Sequence, residues 1–127
     1  MLLKDLNVLV VDDDVYKSND IKKALVFNYI YKITVVDNQA DVWKLLDGGT
    51  QFDLIVTDMQ YPLEKDDKCN EEAGFILIEK MKERGINIPV IICSSGNYVS
   101  KDVLGTVWYS PLNDLGFEFK EVLGKLN

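Results

Sequence analysis

The sequence predicts an α/β domain with a doubly wound, five-stranded parallel sheet and helices on both faces. Short apolar or β-branched runs alternate with amphipathic segments along the whole chain, as in βαβ units. The connections are short, which implies right-handed crossovers, and the run at 7–11 is apolar enough for a strand covered on both faces. A chain of 127 residues with 47% apolar residues can bury one core, so residues 1–127 are expected to form a single domain.

The elements follow from apolar periodicity and from start and stop signals. The predicted strands are Asn7–Val11, Lys32–Val36, Leu54–Thr57, Pro89–Cys93 and Thr106–Tyr109. The predicted helices are Val15–Asn28, Gln39–Leu46, Ala73–Arg84 and Pro111–Leu126, with a short or degenerate fourth helix at Tyr98–Leu104 before the last one. In the first helix, Ile21, Ala24, Leu25 and Asn28 share one face, which leaves Lys17, Lys22 and Lys23 to face water. Asp37 or Asn38 can cap the second helix, Gly48-Gly49 ends it, and Gly85 ends the third.

Composition excludes several classes of function. The net charge is −7, which argues against broad binding to nucleic acid or anionic membranes and favours cations and basic protein partners. The chain contains no histidine, so histidine-based catalysis within it is excluded. No signal pattern or membrane-length apolar run occurs, and a cytoplasmic location is expected. Cys69 and Cys93 lie in such different settings that a disulfide between them is not expected.

Polar side chains follow three of the predicted strands. Asp12 and Asp13 follow the first strand, Asp58 follows the third, and Ser94 follows the fourth. In the strand order 2-1-3-4-5 these strands are neighbours, and ligands bind at the carboxyl ends of such sheets. Carboxylates about 5 Å apart repel by roughly 3 kcal/mol at a dielectric near 20, so a hard cation such as Mg²⁺ is expected among them.

A simpler interpretation applies to each of these residues alone. An acidic residue after a strand is often the N-cap of the next helix, and Asp13 or Asp14 could cap the helix at Val15. Ser94 could be a turn residue. Capping does not explain Asp58, because a proline at position 62 and a long loop follow it rather than a helix.

In combination, the motifs resemble the receiver domain of response regulators in two-component signalling, and in particular the chemotaxis single-domain regulators. The motifs are Val10-Val11-Asp12-Asp13, the stretch 53–58 with Pro62 four residues beyond Asp58, Gly74 at the start of the third helix, and the stretch 89–94. The resemblance covers nearly the whole chain and implies the flavodoxin-like strand order. It also implies a phosphorelay in which a histidine on a separate kinase or phosphotransfer protein donates a phosphoryl group.

The same resemblance assigns roles to individual residues. Asp58 becomes the phospho-acceptor and, with Asp13, a direct Mg²⁺ ligand. Asp12 would bind the metal through water, and the backbone carbonyl of Gln60 would complete the protein ligands. Ser94 would supply the hydroxyl that binds the phosphoryl group.

The chain departs from the family pattern in three places. The family places a lysine before a proline at the end of the fifth strand, where this chain has Ser110-Pro111. A lysine about 4 Å from the phosphoryl group contributes roughly 4 kcal/mol gross at a dielectric of 20, and Lys101 or Ser110 is the candidate substitute. The segment between Asp58 and Gly74 is longer than usual, and the excess falls in the charged stretch Leu63–Glu72, which would be a solvated loop insertion or else a lid or partner-docking surface. The region between Ser94 and Ser110 is short, and Val107 stands at the usual aromatic switch position.

The leading hypothesis is therefore a phosphoryl-accepting receiver that acts through protein–protein contacts with an unknown partner. It would not be an enzyme beyond self-phosphorylation and self-dephosphorylation. The alternative is a pseudo-receiver that acts as a phosphorylation-independent interaction module. A small phosphatase of the haloacid dehalogenase type is a third reading, but the chain has no room for its cap. No binding to nucleic acid or membrane is expected, and a homodimer is left open.

Overall fold

A computed structural model describes residues 2–126. It contains a five-stranded parallel sheet in the order β2-β1-β3-β6-β7, which confirms the predicted strand order, and a separate two-stranded hairpin. The strands are β1 (Asn7–Val11), β2 (Lys32–Val36), β3 (Leu54–Thr57), β4 (Tyr61–Pro62), β5 (Cys69–Asn70), β6 (Val90–Ser94) and β7 (Gly105–Trp108). The helices are α1 (Val15–Phe27), α2 (Gln39–Asp47), α3 (Ala73–Glu83) and α4 (Leu115–Leu123), after a short 3₁₀ turn at Leu3–Asp5. No helix in the described residues is long and apolar enough to cross a membrane.

Alternation along the central strands separates two cores. Val8 and Val10 of β1 point to the side covered by α1 and α4, where they join Ile21 of α1 and Phe119 of α4. The intervening Leu9 packs on the opposite side, with side chains of α2 and α3. A strand turns successive side chains to opposite faces, so β1 contributes to both cores. Its polar residues follow at the carboxyl end of the strand.

Between β6 and the end of the last helix, one sequence-based expectation agrees with the structure and one does not. Residues 98–100 are irregular and residues 101–104 form a turn and a bend rather than a helix, in agreement with a degenerate fourth helix. The prediction that the last helix starts at Pro111 is wrong, because α4 begins at Leu115. Asp114 is its N-cap and accepts a hydrogen bond from the N–H of Phe117 at 3.1 Å. Before it, the N–H of Asn113 donates to the Ser110 carbonyl, which closes a turn.

The charged insertion is not wholly irregular. Pro62, which is expected in a long loop after Asp58, pairs with Cys69 in the antiparallel β4–β5 hairpin. Proline is tolerated there because the hairpin has no further strand that needs its missing N–H. The hairpin is tied to the start of α2 by the N–H of Ala40, which donates to the Leu63 carbonyl at 2.8 Å. The insertion is thus anchored at the edge of the sheet where the acidic residues lie.

Candidate functional site

Parallel pairing of β1 and β3 brings the acidic residues together. Val11 lies in register with Thr57, so Asp12 and Asp58 follow as neighbours at the carboxyl end of the sheet. Carboxylate oxygens of Asp12, Asp13 and Asp58 all lie within 4.8 Å of one another. Asp12 is buried, Asp58 is half-buried and Asp13 is exposed. The cluster therefore opens to solvent on the side of Asp13.

Asp12 is the most constrained member of this cluster. Its Oδ1 accepts a hydrogen bond from the N–H of Asp14 at 2.9 Å, whereas its Oδ2 is buried without a hydrogen bond from the described residues. Burial raises the pKa of Asp12 to about 6, although the nearby Lys17 charge opposes this change. Burial also raises the pKa of Asp13, and the charges of Asp58 and Asp14 add to the effect.

Lys17 enters the same site, contrary to the prediction that it faces water. Its side chain is only 6% exposed, and its Nζ lies 2.9 Å from both Asp12 Oδ2 and Asp58 Oδ1. The contact with Asp12 is an ion pair between two buried groups. Burial by itself would lower the pKa of Lys17, but the carboxylates of Asp12 and Asp58 outweigh it and raise that pKa. The ammonium is therefore charged at neutral pH.

The position of Lys17 follows from how α1 begins. Asp14 is the N-cap, and its Oδ1 accepts hydrogen bonds from the N–H groups of Tyr16 and Lys17. This confirms the capping interpretation for Asp14. Lys17 then lies four residues before Ile21, on the face of α1 that turns toward the sheet.

Tyr109 forms a further wall around the ammonium. The Lys17 Nζ lies 5.6 Å from the centre of the Tyr109 ring, within the range of a cation–π contact. The Tyr109 hydroxyl donates to Asp20 Oδ2 at 2.5 Å, one helical turn beyond Lys17. This hydrogen bond raises the pKa of Tyr109 to about 12. The residue after β7 is thus fastened to the same helix that carries the lysine.

The other predicted site residues occupy the same edge of the sheet. Ser94 is the buried last residue of β6, and its Oγ accepts from the N–H of Gly96 at 3.2 Å. Gln60 is exposed in the bend that follows Asp58. Asp58 Oδ1 also accepts from the N–H of Met59 at 2.7 Å.

Neither candidate substitute for the usual lysine is found in contact with Asp58. Lys101 is exposed in the 98–104 segment, and the Ser110 hydroxyl accepts from the N–H of Leu112 at 3.2 Å. The ammonium that contacts Asp58 belongs to Lys17. Its place on the inward face of α1 was the available signal, but apolar periodicity alone assigns a lysine there to water.

The donors present fit a hard divalent cation. They are carboxylate oxygens from three side chains, which suit Mg²⁺. Asp12 Oδ2 is buried and lies 2.9 Å from the Lys17 ammonium, and a carboxylate oxygen with one such partner can still accept from a cation's bound water. Three carboxylates and one ammonium, −3 and +1, leave a net charge of −2 in the site when all are ionised. One divalent cation balances that charge.

Comparisons with known proteins find response regulators and their receiver domains. The family model described as "Response regulator receiver domain" matches residues 8–105. The chain is 30% identical over 91 residues to the DNA-binding transcriptional regulator NtrC of Bradyrhizobium sp., covering 72% of this chain and 17% of that protein. It is 30% identical over 95 residues to the Detocs response regulatory protein DtcB of Enterobacter cloacae, covering 68% and 63%. The chain thus spans less than two thirds of the length of these relatives.

Solved structures show the same fold at lower identity. The response regulator protein TrrA from Thermotoga maritima, solved in complex with Mg²⁺ and a beryllium fluoride, superposes with a TM-score of 0.73 at 22% identity. That comparison covers 96% of this chain and 99% of TrrA. The receiver domain of the Francisella response regulator 1452 gives a TM-score of 0.70 at 23% identity, covering 96% and 97%.

Proposed function

Because this chain belongs to the response regulator receiver domains, we propose that Asp58 accepts a phosphoryl group from a phosphohistidine on a separate kinase or phosphotransfer protein. The observation that carries the proposal is the placement of Asp58 at the end of β3, beside Asp12, Asp13 and a buried ammonium. An isolated carboxylate is a weak nucleophile toward an anionic phosphoryl group. The buried ammonium, together with the cation that the acidic cluster would hold, offsets the repulsion and lets the anionic donor approach.

The transfer is a displacement at phosphorus. An oxygen of Asp58 attacks, a P–O bond forms, and the P–N bond of the donor breaks. The electron pair of that bond stays on the imidazole nitrogen, which takes up a proton. Asp58 Oδ1 is held by the Met59 N–H and by Lys17, so we assign the attack to Oδ2.

Neighbouring residues hold the incoming group. Asp12, Asp13, Asp58 and the carbonyl of Gln60 would hold Mg²⁺, which supplies charge neutralisation to phosphoryl oxygens when bound. The Ser94 hydroxyl uses its oxygen as an acceptor for Gly96. Its O–H therefore stays free to donate to a phosphoryl oxygen.

The output would pass through protein contacts. Ser94 lies in register with Trp108 across β6 and β7, and the Trp108 indole donates to the Ser95 carbonyl at 3.1 Å. Trp108 is 47% exposed. A change at Ser94 on phosphorylation would reach this exposed ring directly, and a partner could detect it. We propose that residues 1–127 act as one such switch domain.

The test uses acetyl phosphate with Mg²⁺, followed by intact mass, and beryllofluoride followed by tryptophan fluorescence. We expect addition of one phosphoryl group to the wild type and none to Asp58→Asn. Asp66→Asn is the matched control, because Asp66 is an exposed carboxylate in the hairpin loop. Absence of addition to the wild type, or equal addition to Asp58→Asn, would refute the proposal.

A pseudo-receiver is the second candidate, and one observation favours it. Lys17 already neutralises part of the acidic cluster, so the fold could persist without phosphoryl chemistry. A wild-type protein that binds Mg²⁺ but neither accepts a phosphoryl group nor binds beryllofluoride would establish this alternative.

A further inference from the structure

We propose that Lys17 is the phosphoryl-binding cation of this site, supplied from the first turn of α1 rather than from the end of the last sheet strand. The proposal rests on the proposed function of Asp58. It assigns to Lys17 the charge that is missing at Ser110. The two positions are far apart in sequence, but both lie near the carboxyl end of the sheet.

The contacts of the ammonium carry the first step. Lys17 Nζ is 2.9 Å from Asp58 Oδ1, an atom of the carboxylate that would react. A phosphoryl group on this carboxylate has its phosphorus one bond, and its free oxygens two bonds, beyond the acceptor oxygen. An ammonium has three N–H donors, and the two carboxylates supply two partners. A donor is left for a phosphoryl oxygen without movement of α1.

The other residues that could supply a positive charge beside Asp58 do not contact it. Ser110, whose oxygen accepts from the N–H of Leu112, offers a neutral hydroxyl and no positive charge, and Lys101 is exposed in the preceding segment. Lys82, another lysine with an acidic partner, pairs with Asp102 rather than with the cluster. Among the described residues, Lys17 is the lysine whose ammonium pairs with Asp58.

The helix itself gives a reason to regard this placement as functional. Lys17 is the third residue of α1, near the positive end of the helix dipole, where a cation is disfavoured. It is also buried, which disfavours its charge again. Two carboxylates and the Tyr109 ring compensate. An apolar side chain would fill the same space without these costs, so a stabilising role alone accounts poorly for a lysine.

The charge of the site predicts that removing Lys17 changes the affinities for cations and for anions in opposite directions. With Lys17 the ionised site carries −2, and without it −3. Removal of the ammonium should therefore strengthen Mg²⁺ binding and weaken binding of an anionic phosphoryl analogue. A residue that only supports the fold would weaken both together.

The experiment compares Lys17→Met with Lys101→Met, a matched removal of an exposed lysine. All variants carry Trp43→Phe, so that Trp108 is the only tryptophan. Fluorescence at pH 8 gives the dissociation constant for Mg²⁺ alone, and then for beryllofluoride at saturating Mg²⁺. For Lys17→Met we expect Mg²⁺ to bind about threefold tighter or more, and beryllofluoride about tenfold weaker or more. For Lys101→Met both constants should stay within about twofold of the parent, because an exposed charge is screened.

Lys17→Gln is the second variant in case Lys17→Met does not fold, and the same changes are expected for it. Unchanged beryllofluoride affinity, or a parallel loss of both affinities, would overturn the assignment of Lys17. If the parent protein itself binds no beryllofluoride and accepts no phosphoryl group from acetyl phosphate, the proposed function fails. If the parent responds and the Lys17 variants respond equally, only the role of Lys17 fails.

Discussion

Replacement of Lys17 by methionine should destabilise the protein in a strongly pH-dependent way. At 2.9 Å from Asp12 Oδ2, the ammonium attracts that carboxylate by about 6 kcal/mol gross at a dielectric of 20. The cost of burying both groups offsets much of this attraction. Loss of one partner from a buried pair nevertheless costs about 3–5 kcal/mol, because the other charge is left buried. We expect a loss of that size at pH 8.

The pH dependence follows from Asp12. Its pKa is about 6 in the folded protein against an ordinary value of 3.8, so the folded state holds this proton more tightly than the unfolded state. The associated stability is present below pH 3.8 and is lost as pH rises to about 6; the difference corresponds to about 3 kcal/mol. At pH 5 most Asp12 is protonated and needs no cation. The penalty of Lys17→Met should therefore be smaller at pH 5 than at pH 8.

Urea denaturation in EDTA, followed by circular dichroism at pH 5 and pH 8, measures both penalties. Lys22→Met is the control, because Lys22 is an exposed lysine on the same helix, and it should change stability by less than about 0.5 kcal/mol. Adding Asp12→Asn to Lys17→Met should restore about 2 kcal/mol at pH 8, since contacting residues are coupled. A Lys17→Met penalty below about 1 kcal/mol at pH 8, or one equal at both pH values, would refute this reasoning.

Three other predictions concern the frame of the site. Gly74→Ala places a Cβ 2.7 Å from the Asp58 carbonyl oxygen, so we expect a loss of about 1–3 kcal/mol in urea denaturation and slower phosphorylation; unchanged values would contradict the close contact. Asn28→Ala removes a buried hydrogen bond to a carbonyl of α1 and a partly buried one to a carbonyl at the start of α4, and should cost about 2 kcal/mol in thermal denaturation; an unchanged melting temperature would contradict this contribution. Asp20→Asn should lower the pKa of Tyr109 from about 12, so ultraviolet titration should detect one tyrosine that ionises earlier; an identical titration curve would contradict the hydrogen bond.

Strand order and the acidic cluster were predictable because the alternation of strands and helices determines which strand ends are neighbours. Parallel pairing places the ends of β1 and β3 side by side, so the acidic residues after them must meet. The buried position of Lys17 was not predictable from periodicity, which considers only the hydrophobicity of side chains. A lysine is buried here because Asp58, which is remote in sequence, supplies a partner.

The local errors have similar causes. The apolar pattern at 111–126 begins before the true start of α4. That start is set by the Asp114 cap and by the turn that precedes it. The β4–β5 hairpin has strands of two residues each, too short to give a periodic signal. Its pairing depends on attachment to α2, which a linear pattern does not contain.

The location of Lys17 bears on how relatives should be sorted. A search that asks only for a lysine before the proline at the end of the last sheet strand would set this chain aside as degenerate. If charge in the site is what selection preserves, serine at the position of Ser110 and lysine at the position of Lys17 should vary together among relatives. A lineage could pass through an intermediate with both lysines, since one ammonium would cover the loss of the other. Alignments that pair these two columns would then separate relocated sites from lost ones.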